Sequence, residues 1–160
     1  MLNLKHIIRT IVFLLPFILL SQNNADKITQ LEGNKALYKS FNKFYTDYIR
    51  NETKDEWGEP YYKKIDQING VHYFDYNEDG KNDALVEFSA RNSDGGTYYF
   101  LVAVLFKNTN GIYSYKAHFY PENMLFKNYT KPTFVFSGKT NRLSKEISIK
   151  KYVLSGNKFI

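Results

Sequence analysis

The run from Thr97 to Phe106, Thr-Tyr-Tyr-Phe-Leu-Val-Ala-Val-Leu-Phe, constrains this chain more than any other segment. It is aromatic and β-branched, which predicts a strand. An antiparallel strand with one wet face alternates apolar and polar residues. This one is apolar almost throughout, so it belongs at the centre of a sheet with both faces covered. A helix is expected on one side and some further layer on the other.

The helix comes from the N-terminal third. Leu37, Phe41, Phe44, Tyr45 and Tyr48 fall on one face of a 3.6-residue period, and Asn34 suits the N-cap. The pattern predicts a helix over 34–51. Residues 26–33 read as a polar lead-in, with Gly33 breaking any early helix. Residues 52–62 read as a loop whose Trp57, the sole Trp, packs as an anchor.

The remainder reads as strands. Val71–Phe74 is one, with a start near Ile65 left open. Ala84–Ser89 is the next, and the 97–106 run follows. Asn108-Thr-Asn-Gly111 predicts a hairpin turn. Ile112–Tyr120 then returns, with Ile112, Ser114, Lys116 and His118 on one face and Tyr113, Tyr115, Ala117 and Phe119 on the other. Pro121 ends it, and residues 122–131 read as a loop. Thr133–Phe136, Ile147–Leu154 and Phe159-Ile160 complete the set. The expected fold is α+β: one N-terminal amphipathic helix packed on an antiparallel meander of about five to six strands.

Residues 1–25 read as an address. Lys5 and Arg9 precede an uncharged apolar run, Ile11–Leu20, interrupted by Pro16. A spanning helix needs about 20 apolar residues, so a secretory signal peptide is expected, cleaved after Ser21 or Ala25. Residues 26–160 then form one domain, periplasmic or secreted, with no stable membrane span. The formal charge of +6 falls to +4 when Lys5 and Arg9 leave, with 20 bases against 16 acids. No Arg cluster accompanies it, which argues against nucleic acid as a partner. The chain has no Cys. That excludes disulfides, thiolate metal sites and a cysteine nucleophile.

One constellation carries chemistry. Residues 75–83 read Asp-Tyr-Asn-Glu-Asp-Gly-Lys-Asn-Asp. Side-chain oxygens stand at Asp75, Asn77, Asp79 and Asp83, Gly80 marks a sharp turn, and Lys81 offers a backbone carbonyl. Ca²⁺ takes six to eight oxygens in irregular geometry. Like-charged carboxylates this dense are uncomfortable without a cation. The expected metal set is Asp75, Asn77, Asp79, Lys81 and Asp83, and the expected cofactor is structural calcium.

The first half of this loop resembles the EF-hand. Position 12, where an EF-hand carries a bidentate Glu, is Val86, with Glu87 one residue late. Strand-like segments flank it, so it is more similar to the strand–loop–strand calcium loops of FG-GAP repeats, with Asp83 as the closing carboxylate. The stretch Asp75–Val86, Asp94-Gly95-Gly96 and Thr97–Val102 also resembles small exported bacterial proteins of unassigned function. That resemblance implies export and brings no activity.

Other residues carry weaker signals. His72 and His118 read first as packed or surface residues. Asp94-Gly95-Gly96 reads as a hairpin connection. Tyr61, Tyr62, Tyr98, Tyr99, Tyr113 and Tyr115 offer rings for a sugar, with core pairing as the default. Lys145, Lys150, Lys151 and Lys158 read as a solvated face. No catalytic residue is assigned. The expected function is an exported calcium-binding interaction module for an unidentified protein or envelope ligand. A small periplasmic enzyme with a site near His72 or His118, and an inhibitor or immunity-type protein, stay open as alternatives.

Overall fold

Asn34 starts the main helix as its side chain predicts. Its Oδ1 accepts the Leu37 N–H at 3.1 Å. The computed structural model describes residues 27–52, 54, 62–92, 99–139 and 146–160. The expected leader, Trp57, Tyr61, Tyr98, Asp94-Gly95-Gly96 and Lys145 lie outside the described residues. Residues 27–33 (α1) are helical, contrary to the polar lead-in expected there. Leu31, 1% exposed, anchors this turn in the core, and Asn34 rather than Gly33 separates it from Lys35–Phe44 (α2).

α2 does not continue as a regular helix. Tyr45–Ile49 forms a π turn, followed by a short helical stretch Arg50–Glu52. A π turn holds more residues per turn. It therefore puts Ile49, 1% exposed, where a regular helix would have put Tyr48. Tyr48 moves to the helix edge and is 37% exposed.

Among the described residues eight strands follow: β1 (Tyr62–Phe74), β2 (Asp83–Asn92), β3 (Tyr99–Thr109), β4 (Ile112–Phe119), β5 (Met124–Thr130), β6 (Thr133–Gly138), β7 (Ser148–Ser155) and β8 (Lys158–Phe159). They form two antiparallel sheets, β1-β2-β3-β4 and β5-β6-β7-β8, instead of one meander. The segment 122–131, expected as a loop, contributes β5. It is an edge strand whose turn-like Glu-Asn and Lys-Asn pairs mask the pattern of its inward Met124, Phe126 and Tyr129.

The second sheet is the missing cover for the apolar run. Val102, Val104 and Phe106 of β3 pack toward the helix beside Leu37, Phe41 and Phe44. Ala103 and Leu105 face the second sheet, against Met124, Phe134 and Phe136. Aromatic rings fill the seam between sheets. Phe74 stacks on Phe126 at 5.4 Å, and Phe119 meets Phe136 edge-on at 5.0 Å. Such rings each remove about 150–250 Å² from water, so the layers need no disulfide.

Register irregularities explain where alternation failed as a guide. β1 slips against β2 three times, leaving Lys63, Asp66 and Asn69 as extra residues. Bulges of this kind shift side chains to the other face. Ile65, Ile68 and Val71 consequently all face the helix although they are three apart. β4 slips at Lys116, between the pairs Phe106–Tyr115 and Leu105–Ala117. His118 therefore shares the helix-side face with Tyr113 and Tyr115, a correction to the unbroken alternation expected of this strand. The hairpin turn falls at Asn110-Gly111, both at positive φ, as an Asn-Gly pair favours.

Candidate functional site

The loop Asp75–Asn82 joins β1 to β2 and folds around its own carboxylates. Asp75 accepts backbone N–H bonds from Asp79 at 3.2 Å and Gly80 at 2.7 Å. Asn77 Oδ1 accepts from the Asp79 N–H at 3.3 Å, and its amide donates to Asp79 Oδ2 at 3.0 Å. Asp79 Oδ1 accepts the Lys81 N–H at 3.1 Å. Glu78 and Gly80 both take positive φ, and Gly80 supplies the flexibility the turn needs.

Asp83 plays a different part. It is fully buried, and its two oxygens accept the N–H groups of Asn108 at 2.7 Å and Tyr76 at 3.1 Å. It ties the loop to the end of β3. Burial raises its pKa, the two backbone bonds oppose this, and the negative field of Asp79 and Asp75 adds to the rise. The Tyr76 phenol is pushed up to about 12, mainly by burial and then by Asp83 and Asp79.

Calcium fits this donor set in part. Asp75, Asn77, Asp79, Lys81 and Asp83 are one contiguous segment and supply oxygens alone, the hard donors calcium takes. Asp75, Asn77 and Asp79 are linked to one another. Among the described residues, however, no group of three or more His, Asp or Glu stands close enough together to hold a metal ion. An ion would require the loop to tighten toward Asp83, whose oxygens keep spare lone pairs beyond the two backbone bonds.

His72 and His118 have partners that the sequence did not reveal. His72 Nε2 lies 2.8 Å from Glu87 Oε2, and Glu87 Oε1 accepts the Phe126 N–H at 2.6 Å. Glu87 is 2% exposed and bridges the two sheets. Its role was hidden because Glu87 sits in an apolar strand whose second cover is itself non-local. Gly70 opposite must lack a side chain, since a Cβ there would run into His72 Nε2. His118 Nδ1 meets the Tyr115 hydroxyl at 2.9 Å and packs on Phe44.

Two concavities accompany these groups. One, of about 340 Å³, opens between the sheets and is lined by Asp66, Gln67, Asn69, Ser89, Leu101, Asn123 and Leu125. Its one acid among these, Asp66, pairs with Arg91 at 2.7 Å, and neither His72 nor Glu87 lines it. The other, of about 310 Å³, lies between the π turn and β4. Lys150 pairs with Glu122 at 2.7 Å. Lys151 and Lys158 are exposed, as a solvated face requires.

Comparison with protein-family models, curated proteins and solved structures returns no match to this chain. Among the described residues no helix is long and apolar enough to cross a membrane.

Proposed function

We propose that this chain is an exported domain that works by binding a protein or envelope ligand, with calcium bracing its β1–β2 loop. The observation that supports the brace is the mutual linkage of Asp75, Asn77 and Asp79 on one turn, in the same loop whose Tyr76 N–H is held by the buried Asp83. The proposed ligands are those three side chains, Asp83 and the Lys81 carbonyl. Asp79 and Asp75 add to the rise that burial gives the Asp83 pKa, and a divalent cation would offset that repulsion. Export rests on the leader at residues 1–25, and a periplasmic or secreted location follows from it.

A thermal melt tests the brace. Extracellular sites bind calcium at about 0.1–1 mM, so about 5 mM calcium stabilises the protein by roughly 1–2 kcal/mol over chelator. That is a rise of several degrees in Tm, absent in Asp75→Asn. An unchanged midpoint removes calcium from the reading.

The His72–Glu87 pair favours a second reading, an enzyme using His72 as a base. Its geometry is that of an oriented histidine. Against it, Glu87 is already committed to the Phe126 amide, and the described cavities do not include His72. A hydrolase or lyase activity lost in His72→Gln with unchanged stability would favour the enzyme.

A further inference from the structure

We infer that the outer face of the β5–β8 sheet docks on the surface of an anionic phospholipid membrane. This rests on the binding-module reading above and names its partner. The register decides which side chains share the face. Phe134 and Phe136 point into the core, so Thr133, Val135 and Ser137 point away from it. Residues directly opposite in a ladder lie on the same side. Leu125 and Ile149 therefore flank Ser137, Asn128 and Lys151 flank Val135, and Val153 stands beside Thr133. Ile160 exchanges two backbone hydrogen bonds with Val153 and extends that row, and Lys158 joins the face opposite Ser155.

Aliphatic exposure is the first observation. The wet face of an antiparallel sheet is ordinarily polar. Here Ile149 and Ile160 are 56% and 71% exposed, and Leu125, Val153 and Ile147, just ahead of β7, are exposed with them. The second observation is the sign of the charge. β5, β6, β7 and β8 contain Lys127, Lys150, Lys151 and Lys158 and not one Asp or Glu. Lys150 lies on the inward row beside Phe136 and pairs with Glu122. Lys151 and Lys158 stand on the outer face, and Lys127 is exposed at the β5 bulge. The face therefore presents cations among aliphatic side chains, with no acid in its strands to balance them.

Those two properties select the occupant. A second copy of the face would set lysines against lysines. A nucleic-acid strand would meet the lysines and leave the aliphatic side chains unused, and the four strands place no aromatic ring on this face for a base to stack on. A protein interface is enriched in aromatic residues and Arg and depleted in Lys, the reverse of this face. Anionic phospholipid uses both properties. Isoleucine, leucine and valine enter the boundary between headgroups and acyl chains. Lysine stems lie along them while the ammonium groups reach lipid phosphate. Contact of this kind lies on the membrane and does not span it.

Co-sedimentation with vesicles tests this, using phosphatidylglycerol and phosphatidylcholine in equal parts against phosphatidylcholine alone. Chelator is present, so that calcium does not bridge protein to lipid. Binding to the anionic vesicles is expected to be at least about ten-fold tighter, since each lysine near such a surface contributes about five-fold. Lys151→Gln with Lys158→Gln should weaken it about ten- to twenty-five-fold. Lys35→Gln with Lys39→Gln, the same charge removed from exposed positions on α2, should stay within about two-fold of wild type. Ile149→Thr should weaken binding about three- to ten-fold by removing inserted apolar surface, with Tm unchanged. Absence of a preference for anionic vesicles overturns the inference, as does an equal loss in the two lysine pairs. Binding that Ile149→Thr leaves intact reduces the face to a charged patch and also overturns docking. Capture of an acidic envelope protein in place of vesicles overturns the lipid and keeps the binding module. A calcium-dependent melt without vesicle binding defeats this inference alone.

Discussion

Removing the Asp83 carboxylate separates a structural clasp from a simple metal ligand. Asp83→Ala takes partners from two backbone donors, Tyr76 N–H and Asn108 N–H, in partly buried positions. Each orphaned donor costs about 1–3 kcal/mol. Relief of the buried charge, whose pKa is raised chiefly by burial, returns part of that. The expected net loss is about 2–4 kcal/mol, with chelator present throughout. For a domain of this size that corresponds to roughly 6–16 °C in Tm. Asp83→Asn keeps one acceptor oxygen and should lose about half as much. Urea denaturation in chelator, with the slope checked for constancy, reads the difference directly. A loss below about 1 kcal/mol in chelator would refute the clasp and leave Asp83 as a ligand only.

Three further outcomes are expected. Tyr45 buries a hydroxyl with no hydrogen-bond partner among the described residues, so Tyr45→Phe should stabilise the protein by about 1 kcal/mol in a denaturant melt. Burial also raises the Tyr45 pKa. The folded phenol then holds its proton more tightly than the unfolded one, so stability falls as pH rises past the ordinary value of about 10, and the advantage of Tyr45→Phe should widen there. Gly70→Ala should cost about 2–4 kcal/mol by displacing His72 from Glu87, and less than about 1 kcal/mol in a His72→Ala background, as a double-mutant cycle would show. Phe136→Ala, at a fully buried ring in the seam between sheets, should cost about 3–5 kcal/mol by equilibrium unfolding, and a loss below about 1 kcal/mol would mean the sheets do not pack there.

The candidate site was legible to the extent that its residues are consecutive. Asp75, Asn77, Asp79, Gly80 and Asp83 form one short segment, and a turn bound by its own carboxylates is a local event. What Asp83 holds was not legible, because one of its partners, Asn108, arrives from a different hairpin. The His72–Glu87 bridge was hidden for the same reason. It depends on Phe126, and the strand carrying Phe126 read as a loop.

The main helix, its Asn34 cap, the Asn-Gly turn and the central position of the apolar stretch Tyr99–Phe106 were set by the sequence alone. Each rests on side-chain chemistry within a few residues of its own backbone. Tertiary structure decided how many sheets there are, which face each side chain takes after a bulge, and where α2 opens into a π turn. A bulge or an inserted helical residue costs local hydrogen bonding, and it persists only when a distant surface compensates. Ile65, Ile68 and Val71 share the helix-facing side because the helix is there to cover them. Tyr48 leaves the core row because Ile49 packs in its place and Tyr115 waits on β4. The cover that the apolar strand demanded was certain from its composition. Its identity as a second four-stranded sheet came only from the packing of aromatic rings brought together from β1, β4, β5, β6, β7 and β8.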